Sequence, residues 1–316
     1  MNGLELSHGF YETYGKPMLE RDFADVLPFL AVGFTGSGSE HYGFDDEVSR
    51  DHDFEPGFCI FLPGEELVDR RKAFLLERAY AKLPKEYCSV KRQHLSPVGG
   101  SRHGVLRTAE FYTKAIGSPD GILTTAQWLN LPDYALAEAV NGEIFFDAYG
   151  EVTAIRNSLL RMPEACLLKR LAGNLLLMAQ AGQYNFVRCL KHGEPEGAQL
   201  ACVEFVKAAL KVSFLLHGQY APYYKWSFRA LRQLPGEERT AQLLSALLLC
   251  GACDDAAAVE KQAAIEAVSA SVIARLKVQE LTQSPGNDLE THAYAVNDKI
   301  KDGDIRNLHI LAAIRE

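Results

Sequence analysis

Residues 36–62 read GSGSEHYGFDDEVSRDHDFEPGFCIFL, and this stretch decides the fold. Its chemistry starts at the triplet Asp51-His52-Asp53. On an extended strand, side chains at i and i+2 point to the same face, so two carboxylates would project side by side. Like charges that close raise one another's pKa, a costly arrangement unless a cation lies between them. Mg²⁺ is the usual partner, bound through carboxylate oxygens and shared with substrate phosphates. The apolar run Phe58-Cys59-Ile60-Phe61-Leu62 follows the pair directly, which marks the start of a buried strand rather than a solvated turn. Upstream, Gly36-Ser37-Gly38-Ser39 follows a short apolar strand over residues 31–35, AVGFT. Glycines let a backbone approach a phosphate closely, and free N–H groups with a Ser hydroxyl can cradle it. Linkers contain the same residues; the position between a strand and the acidic pair is what makes this run specific.

Working outward, residues 19–27 have helical spacing that Pro28 should end. A second strand is expected over residues 51–62, with Pro56-Gly57 as an irregularity. Residues 65–82 read as an amphipathic helix, residues 105–112 (VLRTAEFY) as a third strand, and residues 132–140 as a helix. A short strand over residues 143–146 runs into Asp147. Beyond it the strand signals stop. Residues 154–160, 164–181, 199–216, 224–232, 237–249, 254–281, 288–301 and 304–314 all show helical spacing. Pro163, Pro195, Pro222, Pro235 and Pro285 fall between these runs, as breakers should. An α/β first half and a helical second half imply two domains, residues 1–153 and 154–316, joined near residues 151–157. No internal repeat or low-complexity segment interrupts them.

The pattern of Gly38-Ser39, about a dozen residues, then Asp51-His52-Asp53 on a strand resembles the signature of the DNA polymerase β-like nucleotidyltransferase superfamily. Kanamycin and lincosamide nucleotidyltransferases share that core. The longer wording GSGSEHYGFDDEVSRDHDFEP is similar to a bacterial family of nucleotidyltransferase-like proteins of unassigned function with a helical C-terminal domain. Further matches are NGEIFFDAYGEVTAIR (residues 141–156), AQAGQYNFVR (179–188) and YAPYYKWSFRALRQLP (220–235), so the resemblance spans roughly residues 9–235. It implies an α+β fold: a small mixed-sheet nucleotidyltransferase domain followed by an all-helical C-terminal domain. It also implies a site in which Asp51 and Asp53 hold Mg²⁺ while Gly38 and Ser39 hold the phosphates of ATP or another nucleoside triphosphate. The expected activity is transfer of a nucleoside monophosphate, AMP from ATP, to a hydroxyl of a small molecule or protein. The acceptor would sit between the domains, where pockets are common. The superfamily usually has a third carboxylate on a neighbouring strand. Glu110 and Asp147 are both candidates, whereas Arg107 could not serve. In two-metal transfer that group helps activate the attacking hydroxyl. Without it, the alternative is a regulatory protein that binds nucleotide but turns over poorly.

In the helical half, Tyr184 and Arg188 lie on about one helical turn, as do Tyr224, Lys225, Trp226 and Arg229. Lys225 follows Pro222 near a helix start, from which a cation could reach a triphosphate tail. Equally, aromatics at helical spacing pack a core while Lys and Arg snorkel outward. His52 points away from the flanking aspartates, His41 and His103 fall in loops, and no histidine spacing suggests zinc. The net charge of −8 over 316 residues, with no Lys/Arg-rich run, disfavours a nucleic-acid partner. No apolar run reaches the ~18 residues of a membrane span, and no basic start followed by an apolar core marks a signal peptide. Seven scattered cysteines suit a reducing cytosol. Cys250 and Cys253 form a lone CxxC whose simplest reading is two small apolar residues.

Overall fold

In a computed structural model of the chain, residues 1–48, 54–92, 103–251 and 254–314 are described. The chain divides into two compact units, Met1–Leu123 with Ala135–Arg161, and Thr124–Tyr134 with Met162–Glu316.

The first unit opens with α1 (Gly3–Phe10), started by a capping box in which Asn2 and Glu5 exchange side-chain and backbone hydrogen bonds. A π turn leads into α2 (Lys16–Asp22), which ends well before Pro28. Strands β1 (Ala31–Phe34) and β2 (Cys59–Leu62) pair antiparallel. The second ladder is shorter than the sequence suggests. Pro56 has no N–H to donate, and residues 54–57 run up to the sheet outside its strands. Helix α3 (Arg70–Ala81) starts later than the periodicity implies because Asp69 caps it, accepting from the Lys72 N–H at 2.7 Å. A small hairpin follows, β3 (Glu86–Tyr87) with β4 (Val90–Lys91).

Strand β5 (Gly104–Arg107) pairs parallel to β2. The expected strand over residues 105–112 therefore stops at Arg107, and α4 (Thr108–Ile116) takes over. Thr108, Tyr112 and Ile116, spaced i, i+4 and i+8, are all buried, and Thr108 Oγ1 donates to the Leu62 carbonyl at 3.1 Å. That periodicity places Glu110 on a helix, correcting its expected strand position. Helix α5 (Thr125–Asn130) belongs to the second unit, and the division falls inside α6 (Asp133–Val140). Strand β6 (Glu143–Asp147) completes a mixed sheet of order β5-β2-β1-β6. Helix α7 (Glu151–Leu159) then occupies the stretch expected to be a linker.

Alternation sorts the strands onto two faces. Val32, Ile60 and Leu62 join Phe10, Leu19, Phe58 and Leu76 on one side. Ala31, Cys59 and Phe61 meet Phe111 and Val152 on the other. Period-two burial on both faces is what a sheet covered on both sides requires.

The second unit is helical: α8 (Glu164–Met178), α9 (Phe186–Lys191), α10 (Pro195–Leu216), α11 (Tyr224–Leu231), α12 (Glu238–Leu249), α13 (Asp255–Val278), α14 (Leu289–Asp298) and α15 (Gly303–Arg306). A π segment, Ala179–Asn185, joins α8 to α9. Its centre is α8, which carries two adjacent buried cations. Lys169 Nζ donates to Asn297 Oδ1 and to the carbonyls of Arg306 and Leu308 at 2.7–3.0 Å, fastening the C-terminal segment. Arg170 fastens Thr124–Tyr134: it pairs with Asp133 at 2.7 Å and donates to the Trp128 and Leu131 carbonyls. No helix among the described residues is long and apolar enough to cross a membrane. The architecture is thus α+β, a small mixed sheet with its helices followed by a helical C-terminal region.

Candidate functional site

The registers show which groups share an end of the sheet. Gly33 lies opposite both Cys59 and Ile144, Phe34 opposite Glu143, and Cys59 opposite Gly104. The end where β1 runs out into Thr35 and the glycine-serine loop is therefore also where β2, β5 and β6 begin. Loops that gather at one end of a sheet supply binding groups on a fixed scaffold.

The loop conformation demands its glycines. Gly36 has φ +130° and Gly38 has φ +133° with ψ 152°, a region essentially closed to side-chain-bearing residues. Ser39 then starts a 3-10 turn, Ser39–Tyr42, closed by Gly43. Asn141 holds the loop from β6's side. Its Oδ1 accepts from the Gly36 N–H at 2.9 Å and the Thr35 hydroxyl at 3.0 Å, and its Nδ2 donates to the Gly36 carbonyl at 2.7 Å. Arg156, on α7, donates to the Asn141 and Val140 carbonyls at 2.8 Å and to the Thr35 hydroxyl at 3.3 Å. Burial pulls the Arg156 pKa down, and carbonyl acceptors rather than a carboxylate satisfy these donors. Neither Asn141 nor Arg156 stands out in the sequence, because Asn141 acts through a backbone group 105 residues away and Arg156 through one 15 residues away.

Phe34, His41, His103 and Glu40 also line this end. Phe34 stacks with two buried imidazoles, His41 at 4.2 Å and His103 at 5.1 Å between ring centroids, and the two imidazoles lie 6.3 Å from each other. Glu40 is also buried. Its carboxylate lies against Gly38, where an added Cβ would collide with it, and Ser39 Oγ donates to its Oε2 at 3.4 Å. Its other oxygen is 3.6 Å from His41 Nδ1.

Of the residues singled out in the sequence, Gly38 and Ser39 sit in this loop. Asp51 and Asp53, with His52, lie outside the described residues. The two candidates for a third carboxylate lie at the opposite end of the sheet. Asp147 faces Ala31, while Arg107 faces Leu62 and α4 with Glu110 begins just past it. Three residue steps of about 3.3 Å separate Ala31 from Phe34, so Asp147 lies about 10 Å along the sheet from the loop end. Both its oxygens are engaged in capping α7, accepting from Gly150 N–H at 2.8 Å and Thr153 N–H at 2.7 Å. Glu110 is exposed. Beside Asp147, the Glu151 carboxyl is raised above its ordinary range by burial and by the charges of Asp147 and Glu66.

In the second unit, Lys225 is exposed in the first turn of α11. Arg188 donates to Tyr184 Oη at 2.7 Å and lies over that ring. Cys250 is partly buried, and Cys253 lies outside the described residues. Among the described residues, no group of three or more His, Cys, Asp or Glu comes together as a metal site.

Residues 128–227 match a family model described as a domain of unknown function, DUF4037. That stretch runs from α5 into α11 and leaves out the glycine-serine loop. No curated protein matches the chain. Among solved structures, the chain is similar to a nucleotidyltransferase-like protein from Exiguobacterium sibiricum 255-15. The two are 12% identical, with a TM-score of 0.35, over 92% of this chain and 89% of the other.

Proposed function

We propose that the first unit binds a nucleoside triphosphate together with Mg²⁺ at the glycine-serine loop and transfers AMP from ATP to a hydroxyl of a small molecule or protein. The observation that carries this reading is the loop itself: two glycines in side-chain-excluding conformations, braced by Asn141 and Arg156, at the sheet end where β2 begins. A backbone shaped that way can bring N–H groups close to a phosphate. Ser39 and Glu40 contribute hard oxygen donors there, the ligand type Mg²⁺ prefers. Asp51 and Asp53 would hold the ion, and its charge would offset that of the phosphates.

Nucleotide binding without transfer is the second reading, and the far-end positions of Asp147 and Glu110 favour it, since carboxylates sharing one ion lie on the order of 5 Å apart. Calorimetry with ATP, with and without Mg²⁺, tests binding; equal affinity in both buffers counts against it. Asp51→Asn with Asp53→Asn is expected to remove most of the metal-dependent affinity. Labelled ATP in a cell extract separates the two readings: transferred label supports the enzyme, and saturable binding with none transferred supports the regulator.

A further inference from the structure

A groove between α2 and α3, in the first unit, has no part in the reading above. Its volume is about 750 Å³, and its floor is apolar: Met18, Phe23 and Leu83 are buried there. Its walls carry four cations, Arg21, Lys72, Arg78 and Lys82, against one acid, Asp22. The whole chain has a net charge of −8, yet residues 70–85 hold six Lys or Arg and a single Glu. Arg21 pairs with Asp22 and Lys72 with Asp25, both at the surface, where such pairs contribute little. An incoming carboxylate can take the place of either acid at small cost. Among the described residues, Arg78 and Lys82 have no acidic partner, and the Arg78 guanidinium lies over the Phe74 ring at 5.9 Å. Lys72 and Lys82 are ten residues apart, about 15 Å along the helix, too far for one compact anion to meet both. Apolar contacts accompany the charges: Leu75, in the groove, is 43% exposed and Phe74, beside it, 56%. The other large apolar residues of this helix and its end, Leu76, Tyr80 and Leu83, are packed into the core, which leaves no apolar face to sink into a lipid surface.

We infer that this groove docks an acidic segment of a partner protein, a short stretch in which Asp or Glu is interspersed with Leu or Phe. The carboxylates meet Arg78 and Lys82, and the apolar side chains meet Leu75 and Phe74. Charge complementarity selects the partner, since a cationic groove on an acidic chain is attractive only locally. The inference stands apart from nucleotide binding and does not rest on it.

The test selects random displayed peptides of about a dozen residues, long enough to span the cations at ~3.3 Å per residue, on the full-length protein. The recovered sequences are expected to be enriched in Asp and Glu together with Leu or Phe. The most enriched of them, fluorescently labelled, is expected to bind in anisotropy titrations that weaken with added salt. Arg78→Glu with Lys82→Glu, both exposed positions, is expected to weaken that peptide by about tenfold or more, with thermal melts to verify folding. Recovered sequences with no excess of acids, or an unchanged peptide affinity in the folded variant, overturn the inference. Phosphatidylserine vesicles, polyuridylate and ATP are titrated alongside. Any of these that binds as tightly as the peptide and is lost in the variant makes the groove a general anion site and overturns the inference as well. Should the double Glu variant not fold, Arg78→Gln with Lys82→Gln takes its place, and an unchanged peptide affinity again overturns the inference.

Discussion

Asn141 holds three groups of the glycine-serine loop at once, and its loss should be felt in both stability and binding. At about 1 kcal/mol for each net hydrogen bond, Asn141→Ala is expected to cost about 2–3 kcal/mol in urea melts and to abolish ATP binding. A variant that keeps wild-type affinity would show that the loop does not need this brace. Gly38 makes a sharper case. Gly38→Ala meets both a forbidden backbone region and the Glu40 carboxylate, whereas Gly150→Ala at φ +81° meets nothing within 4 Å. The first is expected to destabilise by more than ~2 kcal/mol and the second by about 1 kcal/mol, the cost of a left-handed alanine alone. Equal losses in parallel melts would mean that Glu40 yields easily. Glu151 gives a pH signature. Its folded pKa is raised, so the native state holds the proton over a window where the unfolded chain has released it. Stability from this group is therefore full below the ordinary Glu range and falls as pH rises through the raised value. The gain in melting temperature from Glu151→Gln should grow across that window and then level off. A gain that shrinks with rising pH would contradict the shift.

At the scale of elements, α4 and α7 decide what can be near the loop. Asp147 acts as the cap of α7, so Asp147→Ala is expected to lower stability by about 1 kcal/mol while leaving Mg·ATP affinity unchanged. Glu110→Gln should alter neither. A large loss of ATP affinity in either variant would restore that residue to the metal site. The continuous apolar runs in residues 31–35 and 58–62 make β1 and β2 readable from sequence, since both faces of the sheet are covered. Residues 105–112 defeat the same reasoning. VLR is a strand and TAEFY a helix, and the switch is set by Thr108 bonding back to the Leu62 carbonyl, a partner far off in sequence. Asn141, Arg156 and Glu40 are illegible for a related reason. Their meaning lies in the backbone they touch, and a list of side chains does not show it.

For the whole molecule, the open question is which residues fold together. Sequence periodicity gives a single cut after a β-containing half, but Thr124–Tyr134 sits with the helical unit although residues 135–161 return to the first. The tie is physical. Arg170 and Asp133 are 5% and 9% exposed, 2.7 Å apart, and Arg170 also donates to two carbonyls of the same segment. Removing one partner of a buried ion pair leaves an uncompensated charge, which typically costs about 3–5 kcal/mol. Arg170→Met strands Asp133, whereas Asp133→Asn leaves Arg170 its carbonyl acceptors and should cost less. Bulk melts of a chain with two units need not be two-state, so hydrogen exchange read segment by segment is the better measurement. In Arg170→Met, amides of residues 124–134 and of α8 are expected to lose protection together, while β1, β2 and β6 keep theirs. If residues 124–134 instead keep the protection of the sheet, the segment belongs energetically to the first unit. Arg170 would then be a bystander to that boundary, and a division after residue 153 would be nearer the folding units.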